Sequence, residues 1–303
     1  MNRRRLLAGM GLAAAGFSLR HWFVQGTDKP EPAAPVSANS TPPVTLREPA
    51  APAAARNATR DMDQAIRDQL QRIHDFDKDL PGDIFLPEAQ QAMLLRVLAR
   101  MKRIQQHAGH ANFSLMSFDE MLRHARDYSV IGAFSRGETE FMESIFCHDA
   151  REYGFRGRKV IDNLTSRVPR RQVVKIPHTG NYLFRDASLE MYRRLKQDIG
   201  EDLILTSGIR SIVKQMYLFM DKARKSGFNL SRASRSLAPP GHSYHALGDF
   251  DVGRRDLGAL NFTDRFAQTP EYRRLIQLGY VSIRYTRDNR FGVRYEPWHI
   301  KVV

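Results

Sequence analysis

His245 and Asp251 stand six positions apart, just after Pro239-Pro240-Gly241, and Glu296-Pro297-Trp298-His299 comes almost at the end of the chain. Two imidazoles and one carboxylate are the usual protein share of a catalytic zinc site, which leaves a fourth position for water. His245, Asp251 and His299 supply that set. In an extended segment, residues six apart share a face, so His245 and Asp251 can converge. Asp249 has the same parity and is a rival ligand. Glu296 lies three positions before His299, where a carboxylate can serve as base toward an activated water. Pro297 turns the chain between them. A third patch, Thr206-Ser207-Gly208-Ile209-Arg210-Ser211 continuing to Gln215, reads as a strand-to-helix junction. On composition alone the same His, Asp and Glu residues also read as polar surface groups of a basic domain.

Taken together, the three patches resemble a known family. Ser243-x-His245-x-x-Gly248 followed by Asp251 is similar to the Ser-x-His-x-x-Gly-x-Ala-x-Asp motif of the VanY-type D-alanyl-D-alanine carboxypeptidases. Glu296-x-Trp298-His299 resembles their Glu-x-Trp-His ending, and Ser207-Gly208-Ile209-Arg210-Ser211 with Gln215 resembles their Ser-Gly-Tyr-Arg-Ser…Gln segment. The three occur in the family's order over roughly residues 150–303. The interval from His245 to Asp251 is one residue shorter than in the family. The resemblance implies one Zn2+ per catalytic domain on His245, Asp251 and His299, with Glu296 as general base and acid. It implies that Arg210 binds substrate and stabilises the developing oxyanion, a task that suits an always-charged, planar guanidinium. Ser243 and Gln215 would line the substrate cleft. The reaction implied is removal of a terminal D-alanine from peptidoglycan stem peptides. An endopeptidase with the same zinc site and a non-catalytic cell-wall-binding module are the alternatives.

These residues need a scaffold. Over residues 151–303, short β-branched and aromatic runs (173–176, 182–184, 203–206 and 282–285) are separated by turn residues and by helical patterns near 187–199, 211–226 and 269–278. No regular βαβ rhythm links them. The expectation is an α+β domain with a largely antiparallel sheet and flanking helices. Residues 59–150 form a preceding helical segment. Met62, Ile66, Leu70 and Ile73 recur at helical spacing, as do Met93, Leu94, Val97, Leu98, Met101 and Ile104 behind Pro87. His107 and His110 read as a solvent-exposed pair at a helix end. Cys147, the single cysteine, reads as a buried structural thiol, and its solitude excludes a disulfide framework.

The first 26 residues read as an address. Arg3-Arg4-Arg5-Leu6-Leu7 opens an uncharged, mainly apolar run to Leu19, too short to span a bilayer comfortably. Arg-Arg-x-Leu-Leu resembles a twin-arginine export signal. Residues 1–26 are therefore an export signal or a tether to the inner membrane, and the expected location is periplasmic. Residues 27–58 hold seven of the 15 prolines and form a Pro/Ala-rich linker. The net charge of +14 is uneven, at −5 over 61–150 and +14 over 151–303. A basic surface suits an anionic partner such as cell wall, nucleic acid or lipid. No recognisable nucleic-acid module accompanies the charge, and the export signal argues against that partner.

Overall fold

The computed structural model describes residues 53–303; residues 1–26, read from sequence as an export signal or tether, and most of the Pro/Ala-rich linker lie outside the described residues. Residues 53–58, placed in the linker from sequence, already belong to helix α1 (Ala53–His74). Four more helices follow: α2 (Glu88–Ala108), α3 (His110–Phe113), α4 (Phe118–Asp127) and α5 (Arg136–Cys147). The chain then enters β1 (Val173–Ile176), β2 (Asn181–Phe184), α6 (Ala187–Ile199), β3 (Leu203–Ser207), α7 (Ile212–Lys225) and α8 (Leu230–Ser236). It ends with β4 (Phe250–Arg254), α9 (Pro270–Gln277) and β5 (His299–Ile300). No described helix is long and apolar enough to cross a membrane.

Local chemistry accounts for most of these boundaries. In α2 the buried residues Leu94, Val97, Leu98, Met101 and Ile104 repeat at three- and four-residue steps, which gives the helix one apolar stripe. Pro87 precedes it, and Gly109, at φ 84°, ends it in a conformation that costs glycine little. Ser117 and Ser135 open α4 and α5 with capping boxes closed by Glu120 and Glu138. At the end of α5, Cys147 faces solvent, so the expected buried thiol is not found.

Of the apolar clusters that result among the described residues, two are large. In the first, α2, α4 and α5 pack through Leu94, Met101, Met121 and Met142 against Met216 and Phe219 of α7. The helical segment and the C-terminal part of the chain therefore share a core, and the described residues belong to one compact unit. In the second, Leu203, Leu205, Phe250, Val252 and Ile300 of the sheet pack with Leu195 of α6 and Leu275 of α9. The strands form an antiparallel β1–β2 hairpin and an antiparallel sheet in the order β3-β4-β5, as the α+β expectation required. The run 282–285, read as a strand, makes only a bridge from Ile283 to Ile300.

The loop after α1 is fastened to α8 by a buried ion pair. Arg235 donates to both Asp83 oxygens at 2.7 and 2.9 Å, and Asn229 adds a hydrogen bond at 2.8 Å. Burial opposes the Asp83 charge, but Arg235, Asn229 and the Leu80 amide outweigh it and bring the carboxyl down to about 2. The stability this adds is present above the ordinary carboxylate pKa and is lost as pH falls from about 4 toward 2. Asp83→Ala strands a buried guanidinium and should cost about 3–5 kcal/mol in thermal denaturation near neutral pH. A loss below about 1 kcal/mol would contradict this account of the joint.

Candidate metal centre

Strand β4 sits in the middle of its sheet, and Asp251 pairs with a residue on each side. Its register partner is Ser207 on β3 and His299 on β5. Directly opposed residues on neighbouring strands project to the same face with close Cβ atoms. Phe250 and Val252 point the other way, into the second core, so alternation along β4 delivers Asp251 to the site. The register of β3 slips between Leu205 and Ser207, next to the site, where such irregularities commonly re-aim side chains.

His245 arrives by a different route from the one its spacing suggested. It lies in a 3-10 turn, Tyr244–Ala246, and Gly248 follows with φ 131°, so the segment is not extended and the parity argument does not apply. A backbone contact positions the ring instead: His245 Nδ1 is 2.8 Å from the Gly208 carbonyl. With the proton on Nδ1, Nε2 is left as the free lone pair. Gly208 can hold this place because it lacks a side chain. A Cβ there would fall 2.0 Å from the Tyr182 carbonyl oxygen.

Three potential ligand atoms meet here, from His245, Asp251 and His299, all within 4.8 Å of one another. His245 Nε2 is 3.2 Å from Asp251 Oδ1, and His299 Nδ1 is 3.5 Å from the same oxygen. Ligand bonds near 2.0–2.1 Å at tetrahedral angles place donor atoms about 3.3 Å apart, so the set fits a zinc-sized ion. His245 Nε2 and Asp251 Oδ1 are both buried without a hydrogen-bond partner; with the His245 proton on Nδ1 both are acceptors, and a cation between them would satisfy both.

The supporting residues fix orientation and charge. Asp251 Oδ2 accepts from Arg210 Nη2, while Arg210 Nε donates to Ser207 Oγ at 2.9 Å. Arg210 therefore orients the Asp251 carboxylate, a role the motif did not reveal, and it also lines the cleft. Asp249 lies outside the three-residue cluster. Its carboxylate is occupied by the Arg284 guanidinium, by the Val302 amide at 2.9 Å and by His299 Nε2 at 3.1 Å. It holds the far nitrogen of His299 and turns Nδ1 toward Asp251 and toward Glu296 Oε2, 3.2 Å away. The Tyr285 ring packs edge-on against His299 with centroids 4.9 Å apart. Nothing local in the sequence marked Arg284 or Tyr285 for these positions.

The two imidazoles titrate in opposite directions. Burial and then Arg210 push His245 down, so it is neutral and ready to donate a lone pair. Burial also opposes charge on His299, but Asp249 and Glu296 outweigh it and raise the ring to about 9. An ion taken up at His299 therefore displaces a proton.

A cleft of about 400 Å3 opens beside the cluster, lined by Asp251, Glu296, Arg210 and Trp298 and, from the helical segment, by His110 and Ser114. Gln215 and Ser243, expected in its wall, are not among its lining residues. Gln215 is buried and donates to the Ala238 carbonyl at 2.7 Å, which ties α7 to the loop before the His245 turn. Ser243 is buried at the start of that turn. His107 and His110 also part company: His107 packs with His124 and Tyr128, while His110 turns to Lys214 at 3.2 Å.

The fold and the cluster define a class: an α+β domain whose antiparallel sheet presents two histidines and a carboxylate to a cleft. The family model described as VanY, D-alanyl-D-alanine carboxypeptidase, matches residues 184–303, so the C-terminal part of the chain carries a VanY-type domain. The match begins later than the residue-150 limit read from the motifs. No curated protein matches the chain. Solved structures similar to part of it include the following three. The first is a mutant of the vancomycin resistance D,D-pentapeptidase VanY from a VanB-type cassette with Zn(II), at 22% identity and TM-score 0.33 over 45% of this chain and 82% of that one. The LD-carboxypeptidase LdcB follows at 26% identity and TM-score 0.35, over 43% of this chain and 63% of that one. VanYB in complex with D-Alanine-D-Alanine gives 24% identity and TM-score 0.34, over 43% of this chain and 76% of that one.

Proposed function

We propose that the protein is a zinc-dependent peptidase of peptidoglycan stem peptides that removes the terminal D-alanine. The convergence of His245 Nε2, Asp251 Oδ1 and His299 Nδ1 beside Glu296 carries this reading, and the VanY family match supports it. When bound, zinc supplies Lewis acidity, which polarises the scissile carbonyl and makes a water acidic enough to lose its proton near neutral pH. Glu296, on the cleft wall, accepts that proton and returns it to the leaving amine nitrogen. Arg210 gives Nε to Ser207 and one Nη2 proton to Asp251, so three of its five N–H protons, both on Nη1 among them, remain for a substrate oxygen. Asp249 and Arg284 keep His299 in register throughout.

The reaction is tested with a pentapeptide ending in D-Ala-D-Ala and with its C-terminal amide. The free carboxylate gives an anchor for a cation, so free D-alanine should be released and amidation should cost about 1.5–3 kcal/mol in kcat/KM. Cleavage of cross-linked peptides with the free pentapeptide untouched would make the protein an endopeptidase instead.

We propose export by the twin-arginine route, motivated by Arg3-Arg4-Arg5-Leu6-Leu7. Changing the three arginines to lysine should retain the protein in the cytoplasm on cell fractionation. Unchanged export without the twin-arginine machinery would assign it to the general secretory route.

A further inference from the structure

Arg210, Lys214, Leu218 and Lys222 follow one another at four-residue steps along α7 and its lead-in, and all four line the cleft. Residues at that spacing share one helix face. Arg294 joins them in the cleft, its Nε buried without a partner. The carboxylates in the same wall are Asp251 of the metal cluster and Glu296, which contacts His299 beside it. The cleft thus carries more positive charge than its own acids neutralise.

Lys214 and Lys222 are free of carboxylates. Among the described residues no Asp or Glu oxygen lies within ion-pair distance of either ammonium. Lys214 is only 6% exposed, and neutral groups from the helical segment hold it: Gln105 Oε1 at 2.8 Å and His110 Nε2 at 3.2 Å. Burial, then Arg210, pulls its ammonium down to about 8. Burial, then Arg294 and Arg232, also lowers Lys222. A buried ammonium without a counter-ion is costly to maintain, and an arriving anion recovers that cost. At 1.5 Å per residue, Lys214 and Lys222 are separated by about 12 Å along the axis. An extended peptide covers that distance in about four residues.

We propose that the α7 face is a cationic track that reads non-scissile carboxylates of an acidic peptide substrate, with Lys214 and Lys222 as its specificity-determining residues. The helical segment, which lies outside the family-matched region, builds one end of the track through Gln105 and His110. The substrate is then recognised as an acidic chain and not only by its terminal dipeptide. This inference rests on reading the site as a peptide hydrolase.

The test uses two peptides that both end in D-Ala-D-Ala with a free C-terminus. One carries two side-chain carboxylates, and in the other these are amidated. Equilibrium binding to the full-length, zinc-loaded Glu296→Gln protein keeps both peptides intact. The acidic peptide should bind about tenfold or more tightly than its amidated twin, the range expected for charge-assisted hydrogen bonds. Adding Lys222→Met or Lys214→Met should weaken the acidic peptide and leave the amidated one unchanged, whereas Lys222→Arg should retain the preference. Equal binding of the two peptides, or equal losses on both in the Met variants with zinc content and melting temperature preserved, would overturn the track. Turnover by the unaltered protein is read separately. Selective binding with no cleavage of either peptide would sink the hydrolase reading and leave the track standing.

Discussion

Asp251→Ala and His299→Ala should each leave the purified protein without bound zinc and without turnover. Each removes one of the three ligand atoms of the cluster, the two that the β4–β5 register brings together, and two protein ligands do not make a catalytic zinc site. Asp249→Asn should behave differently. Its carboxylate acts on the far side of the His299 ring and pairs with Arg284, so its loss should weaken zinc binding by about 10–100-fold while saturation is still reached in excess metal. That variant should also melt lower, because a buried guanidinium loses its partner. Metal analysis across a zinc titration separates the cases. Full zinc occupancy in Asp251→Ala, or a larger loss in Asp249→Asn than in Asp251→Ala, would reverse the ligand assignment.

Glu296→Gln should keep fold and zinc but lose about 10² or more in turnover. The substitution preserves the shape of a buried side chain and removes its capacity to accept a proton. Glu296 reaches the cluster through His299 Nδ1 at 3.2 Å, and an amide at that place can still hydrogen-bond the imidazole. The loss should therefore fall on kcat, with peptide binding little changed. Single-turnover kinetics with metal content measured on the same samples reads this out. Near-normal turnover at neutral pH would remove Glu296 as the base.

The His-Asp-His set was legible in the sequence because each member sits in a short local pattern. The way the three meet was not. Alternation in an extended strand was the wrong route for His245, which is carried on a 3-10 turn and pinned by the Gly208 carbonyl. Asp251 and His299 meet through a strand pairing 48 positions apart, and no local signal encodes that register. Asp249 and Asp251 looked equivalent by parity and separated only when Arg284, from a segment read as a plain strand, claimed one of them. Helix ends were easier to place. Pro87 marks the start of α2, and the Ser117 and Ser135 capping boxes that open α4 and α5 act within four residues, although α5 runs through Gly137. The cleft wall supplied by His110 and Ser114 was invisible, since their contact with Lys214 and Ser211 spans about a hundred residues. Gln215 looked like a substrate ligand within its motif, yet its amide secures a backbone carbonyl.

Loaded with zinc, this cluster is expected to hydrolyse peptidoglycan peptides. Mass spectrometry of a muropeptide digest tests it most directly, using the purified protein with zinc, after chelation and after zinc is restored. Products shortened by one D-alanine are expected with zinc, an unchanged digest after chelation, and recovery when zinc returns. A digest that stays unchanged with the zinc-loaded protein, or that is cut equally well after chelation, would contradict it.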